Sequence, residues 1–312
     1  MISSTWGVKT VNFINKALEK AKSLHRQPVR PDPGHSQASP PPSPHVNAAT
    51  GFAGTSGEIF YTYTRTVAVN MDRLRRNHLM VAGIDEILGE AYKLLRTHIL
   101  QRTKPERRNT LMVTGPLPNE GKTLTAINLA LAIAREVGQT VLLVDADLRN
   151  PSVHRYLDLP SGPGLVDYLT SGYPIADSLV HPEGLSKLVV LPAGRSTTQS
   201  VELLSSPLMA DLVRELKHFY PDRYVLFDLP PLLYADPLAF APLVDGILLV
   251  VAAGSTPREE ITRAREMLQE FPVLGFVLNK IDPRELSYGY LQYYPDRDSQ
   301  KKFKLPWGPR VD

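Results

Sequence analysis

The stretch TLMVTGPLPNEGKTLTAINLALAIA, Thr110 to Ala134, decides the fold. It opens on five residues of strand character, turns through a loop with glycine at 115 and 121, and runs on as an apolar helix. Strand, glycine-bearing loop and helix in that order are the setting in which Gly121-Lys122-Thr123 acts as a phosphate loop. Backbone N–H groups of such a loop and of the helix start cradle phosphates, because they are unpaired donors at the positive end of the helix dipole. The expected nucleotide-binding set is therefore Gly115, Pro118, Asn119, Glu120 and Gly121, with Lys122, Thr123 and Leu124 at the helix start. Lys122 would reach the β/γ-phosphates, and the Thr123 hydroxyl would ligate Mg²⁺. One departure stands out: six residues before Lys122, where the first glycine usually sits, is Pro116, and Gly115 comes one residue earlier. The plain alternative is a chance Gly-Lys-Thr at a helix start.

Outward from this loop, strands and helices alternate. Strands are expected at 110–114, 140–145, 187–192, 223–228, 246–252 and 273–279. Helices are expected at 122–137, 200–219, about 236–243 and 257–270, the last opened by a capping box of Thr256, Pro257 and Glu259. Runs such as VLLVD and ILLVV are apolar throughout, as strands of a parallel sheet covered on both faces are. The pattern predicts a doubly wound α/β domain with a mostly parallel sheet over 83–283, its ligand crevice at the carboxyl ends of the strands. Three acidic groups stand at such ends: Asp145 and Asp147 in VLLVDADLR, and Asp228 in YVLFDLPP. Mg²⁺ favours one or two carboxylates plus phosphate oxygens and water, so this set suits a metal-bound nucleotide. The last strand ends LNKID; Asn279 to Asp282 fits the guanine-reading NKxD form, and Asn279 alone suits adenine equally well.

The rest of the chain reads differently. Residues 7–25 carry apolar side chains at helical spacing, so 1–26 is expected as an amphipathic helix that packs on its own domain, docks a partner or lies at a membrane surface. Residues 27–57, dense in Pro and Ser, read as a disordered linker, and 58–82 as a strand or extended arm. Ile84 to Thr103 is expected as a helix, and 284–312 as a polar tail containing SYGYLQYY. The 312 residues include no cysteine, which excludes disulfides and thiolate metal sites, and a net charge of +3 without a basic stripe argues against nucleic acid. No apolar run is long enough to span a bilayer, and the start lacks the pattern of a signal peptide, so a cytoplasmic protein is expected.

Together GPLPNEGKT, VLLVDADLR and VLFDLPP resemble the Walker A, A′ and B motifs of the bacterial tyrosine kinases of exopolysaccharide synthesis, over about residues 85–295. The MinD/ParA ATPases share that fold but not this combination. The resemblance implies ATP and Mg²⁺, with Lys122, Asp145, Asp147 and Asp228 catalytic, Thr123, Asp145 and Asp228 around the metal, and Arg149 and Asn279 on the nucleotide. GEAYKLLRTHI resembles the family's oligomerisation helix as Glu90, Lys93 and Arg96, its middle arginine replaced by a lysine that keeps the charge but loses the planar fork. Leu229 stands where a threonine is common, and Asn119 where a loop glycine is. The family phosphorylates a C-terminal tyrosine cluster in trans within a ring of subunits. Tyr288, Tyr290, Tyr293 and Tyr294 would be the acceptors here, a docked aromatic turn being the alternative. Implied partners are further copies of the chain, a membrane polysaccharide co-polymerase as activator and recruiter, and a phosphotyrosine phosphatase. The rivals are a MinD/ParA-like switch ATPase, a GTPase resting on NKID, and a nucleotide-gated scaffold.

Overall fold

The computed structural model describes residues 64–81, 86–185, 187–219 and 222–281. The expected N-terminal helix, the linker and the tyrosine tail lie outside these residues. The strands are β1 (Arg65–Val67), β2 (Thr110–Thr114), β3 (Thr140–Asp145), β4 (Val180–Pro182), β5 (Leu188–Leu191), β6 (Arg223–Asp228), β7 (Gly246–Ala252) and β8 (Val273–Asn279). The helices are α1 (Met71–Arg76), α2 (Glu86–Thr103), α3 (Lys122–Ala134), α4 (Val153–Tyr156), α5 (Leu165–Ser171), α6 (Ile175–Ser178), α7 (Ser200–Leu204), α8 (Pro207–Phe219), α9 (Asp236–Phe240) and α10 (Arg258–Met267).

All eight strands join one sheet in the order β1-β4-β5-β3-β6-β2-β7-β8. Every neighbouring pair is parallel except β4 with β5. The central strands are buried on both faces, yet their residues still alternate. Leu111, Val113, Val141, Leu143, Leu226 and Val250 join one apolar cluster with α1, α2 and α3. Met112, Leu142, Val144, Val225, Phe227 and Leu249 join the other, beneath α8 and α9. Strand period and two-sided cover together explain the unbroken apolar runs.

Several local expectations are corrected. Residues 64–81 are no extended arm: beyond the short β1, Asn70 caps α1 by accepting the N–H groups of Asp72 and Arg73 at 3.0 and 3.1 Å. Leu74, Leu79, Met80 and Val81 then enter the core. Asn128 of α3, fully buried, accepts the Met80 N–H at 2.8 Å and donates to the His78 carbonyl at 3.0 Å, which ties this segment to the helix behind the phosphate loop. The helix expected over 200–219 breaks at Ser205-Ser206, because Pro207 disfavours helical geometry in the residue before it. Ser206 then accepts the Met209 N–H at 3.1 Å. The expected capping box before α10 is absent; Pro257 is the N-cap, and the Thr256 hydroxyl is engaged elsewhere.

Leu74→Ala is expected to lower unfolding free energy by about 2–5 kcal/mol, as loss of a buried leucine does in a rigid core. Urea denaturation checks this; an effect below about 0.5 kcal/mol, the range of surface substitutions, would mean residues 64–81 do not belong to the folding unit.

Candidate nucleotide site

The loop is shaped where β2 ends. Gly121 has φ +89° and Asn119 φ +62°, both in the left-handed region. Glycine enters that region freely and asparagine is among the few other residues that tolerate it, so Asn119 can stand where a glycine is usual. Gly115 is required for space: a Cβ there would lie 2.3 Å from the Val250 carbonyl oxygen and 2.4 Å from Glu120 Oε2. The glycine displaced from its usual place thus makes room for two neighbours. Lys122 Nζ donates to the Leu117 carbonyl at 2.5 Å and lies 4.0 Å from Glu120 Oε2, so the lysine rests on its own loop. Its burial lowers its pKa, against the pull of Glu120, Asp228 and Asp147. From outside, Asn279 Nδ2 donates to the Glu120 carbonyl at 2.9 Å and Lys280 Nζ to the Asn119 carbonyl at 2.5 Å. The Asn279 amide, expected near a base, is therefore bound to the loop backbone.

Beside the loop stand the two strand-end carboxylates. The β3–β6 register sets Asp145 opposite Asp228, and both are fully buried. Asp145 Oδ2 accepts the N–H groups of Ser152 and Val153, each at 3.0 Å. Asp145 Oδ1 and both oxygens of Asp228 have no hydrogen-bond partner. The Thr123 side chain acts on Asp228 in the favourable sense without closing a hydrogen bond of normal geometry. Burial raises the Asp145 carboxyl to about 7, the Asp147 charge adding to it. Burial, then the Asp145 charge, raises Asp228 well above the usual carboxylate range. Asp147 is likewise raised by burial, though its Oδ1 accepts the Asn150 N–H at 3.0 Å.

Three buried acceptor oxygens without donors mark a shortage of positive charge between Asp145 and Asp228. Mg²⁺ fits it: a hard cation accepts two carboxylates and a hydroxyl, and takes its remaining ligands from phosphate and water. Among the described residues no three His, Cys, Asp or Glu side chains gather at one point.

Other expected residues are placed differently. Arg149 Nε donates to both oxygens of the buried Asp236, at 3.1 and 2.9 Å, and its guanidinium lies 5.0 Å over the Tyr234 ring. With Ser196, Thr197 and Thr198 it lines a cavity of about 430 Å³. Arg96 turns inward onto α3, donating to the Ala132 carbonyl at 3.2 Å and pairing with Glu136 at 3.3 Å, while Lys93 pairs with Glu90. Sequence reasoning missed Asp236 and Tyr234 as partners of Arg149 and Thr256 as a partner of Glu120. An acid at a helix start and a threonine before Pro257 both look like capping groups, and no spacing sets them apart.

Residues 111–294 match the model of the CobQ/CobB/MinD/ParA nucleotide binding domain. The tyrosine-protein kinase YwqD of Bacillus subtilis is 34% identical over 222 residues, spanning 70% of this chain and 92% of its own. The chain belongs to the bacterial tyrosine-protein kinases. The kinase domain of the Escherichia coli tyrosine kinase ETK superposes with a TM-score of 0.59 at 29% identity, covering 64% of this chain and 77% of that one. The succinoglycan biosynthesis transport protein ExoP of Rhizobium meliloti is 32% identical over 75% of this chain, which spans 29% of that longer protein. In this tyrosine kinase, no helix among the described residues is long and apolar enough to cross a membrane.

An acid whose pKa is higher folded than unfolded holds extra protons in the folded state, so stability falls as pH rises between those two values. Asp228→Asn is therefore expected to stabilise the nucleotide-free kinase at pH 8 by about 1–2 kcal/mol, or roughly 3–6 °C. The gain should fade as pH drops toward 4, and the variant should lose the stabilisation that Mg-ATP gives. Thermal unfolding over a pH series tests this; equal midpoints at pH 8 would refute the charge shortage.

Proposed function

We propose that this kinase transfers the γ-phosphoryl group of ATP to Tyr288, Tyr290, Tyr293 and Tyr294 of a neighbouring copy, and thereby regulates exopolysaccharide polymerisation and export. The observation that carries this reading is the pair of carboxylates, Asp145 and Asp228, left without donors at adjacent strand ends beside the phosphate loop. Phosphoryl transfer needs positioning and neutralisation of charge more than covalent help from the protein.

Lys122 exchanges the Leu117 carbonyl for the β/γ-phosphates, while the loop N–H groups hold the phosphate oxygens. Thr123, Asp145 and Asp228 would hold Mg²⁺, which would supply neutralisation of charge on the transferring group. The acceptor phenol, with an ordinary pKa near ~10, needs a carboxylate to orient it and take its proton. Asp145 is the first candidate and Asp147, nearer solvent, the second. A bond forms from the tyrosine oxygen to the γ-phosphorus, the bond to the ADP oxygen breaks, and the phenol proton passes to the carboxylate. Arg149, held by Asp236, faces the hydroxyl-lined cavity and supports the phosphate or acceptor side. Asn279 serves the nucleotide through the loop it braces.

Ring assembly through Glu90, Lys93 and Arg96, activation at the inner membrane face by a polysaccharide co-polymerase, and reversal by a phosphatase complete the reading. The name of the Rhizobium meliloti relative, a succinoglycan transport protein, supports that setting.

Purified chain incubated with Mg-ATP should carry phosphate on the four tyrosines, as mass spectrometry would show, and GTP should not replace ATP. Lys122→Met is expected to cut the rate by about 100-fold or more. Changing all four tyrosines to Phe should abolish the signal and leave ATP binding intact. ATP hydrolysis with no phosphotyrosine, even beside a membrane activator, would overturn the kinase reading and leave a switch ATPase.

A further inference from the structure

We infer that Thr256 is a positioning residue for nucleotide binding, fixing the Glu120 carboxylate and through it the shape of the phosphate loop. A threonine hydroxyl has one proton to give and lone pairs to receive. The Ala252 N–H can only donate, so at 2.9 Å the Thr256 oxygen is the acceptor. Its own proton then points to Glu120 Oε1, at 2.8 Å. Glu120 Oε2 accepts the Leu117 N–H at 2.9 Å. The carboxylate is thus held from two sides, by the loop itself and by the turn after β7, and is only 2% exposed. Gly115 leaves the space in which it lies.

This matters because of Lys122. In the free loop the lysine is the cation nearest to that carboxylate, 4.0 Å from Oε2. Once Lys122 turns toward a triphosphate, Glu120 loses that neighbour and stands as a negative charge within a loop built to receive a polyanion. Thr256 and the Leu117 N–H then become its remaining fixed donors. They keep it turned into the protein and keep the loop backbone from relaxing around it. The inference rests on nucleotide binding at this loop and is independent of phosphotyrosine transfer.

The test is titration of the full chain with a fluorescent ATP analogue and Mg²⁺, paired with steady-state kinetics. Thr256→Val, close in volume but without the hydroxyl, is expected to weaken binding about tenfold, the usual scale for a buried acceptor losing its donor. The rate at saturating ATP should stay within about twofold, so that KM carries the loss. Thr256→Ser should recover binding to within about threefold of the unmodified chain. In a Glu120→Ala background, Thr256→Val should add nothing, because the partner is gone. Affinity within about twofold of the unmodified chain for Thr256→Val would overturn the assignment, as would the same loss of affinity in both backgrounds. A lowered melting temperature with unchanged affinity would also overturn it, as a purely structural role. Thr256→Ala takes the place of Thr256→Val if the latter fails to fold. Binding is read without phosphotyrosine, so an inactive kinase leaves the outcome legible.

Discussion

The parallel register of β3, β6 and β2 is the constraint on which everything else depends. It sets Asp145 beside Asp228, and Asp228 beside Val113, one residue short of the end of the strand that feeds the phosphate loop. Side chains alternate with period two, so a slip of one residue would exchange the two apolar faces and turn both aspartates away from their common edge. The large core on each side of the sheet therefore does more than hold the domain together. It fixes to within a residue where two charges must sit.

That placement is costly in isolation. Burying two carboxylates at adjacent positions, with only two backbone N–H groups between them, works against stability at neutral pH. Several polar groups elsewhere are paired: buried Asn128 by the 78–80 segment, buried Thr103 by Tyr224, and half-buried Asp245 by the Asn109 and Thr110 N–H groups. Arg96 Nε, Asn109 Oδ1, Thr125 Oγ1, Ser178 Oγ and Ser200 Oγ also lack a partner, one atom each, but only Asp145 and Asp228 leave three carboxylate oxygens unpaired at one edge, where a metal-bound polyanion fits. Buried groups left unpaired at a functional edge are what a protein keeps when the ligand completes the structure.

How legible this was follows from length and period. The strands flanking the loop were readable because mostly apolar stretches of six or seven residues bounded by Asp, Gly or Asn have few alternatives, and β3, β6, β7 and β8 fall where they were expected. β4, three residues long, offers no period to detect and even ends in Pro182, while β1 lies within the stretch expected as a strand or arm but spans only three residues of it. The short helix α1 escaped because its signal is a single Asn cap and one buried leucine. At the candidate site, motif and context set Lys122 at a helix start and Asp145 and Asp228 at strand ends, where the structure has them. The long-range partners of Arg149, Arg96 and Thr256 were hidden, since Asp236, Ala132 and Glu120 lie at least 36 positions away and only the folded topology brings them near.

The strand order has one more consequence. β1 and β8 are the two edges of an eight-stranded sheet, so chain entering through β1 and chain leaving after β8 do so on opposite flanks. Seven interstrand spacings of about 4.8 Å set those edges roughly 34 Å apart along the sheet. A load drawn between the edge strands β1 and β8 would strain the sheet across its width, against its interstrand hydrogen bonds rather than along its strands.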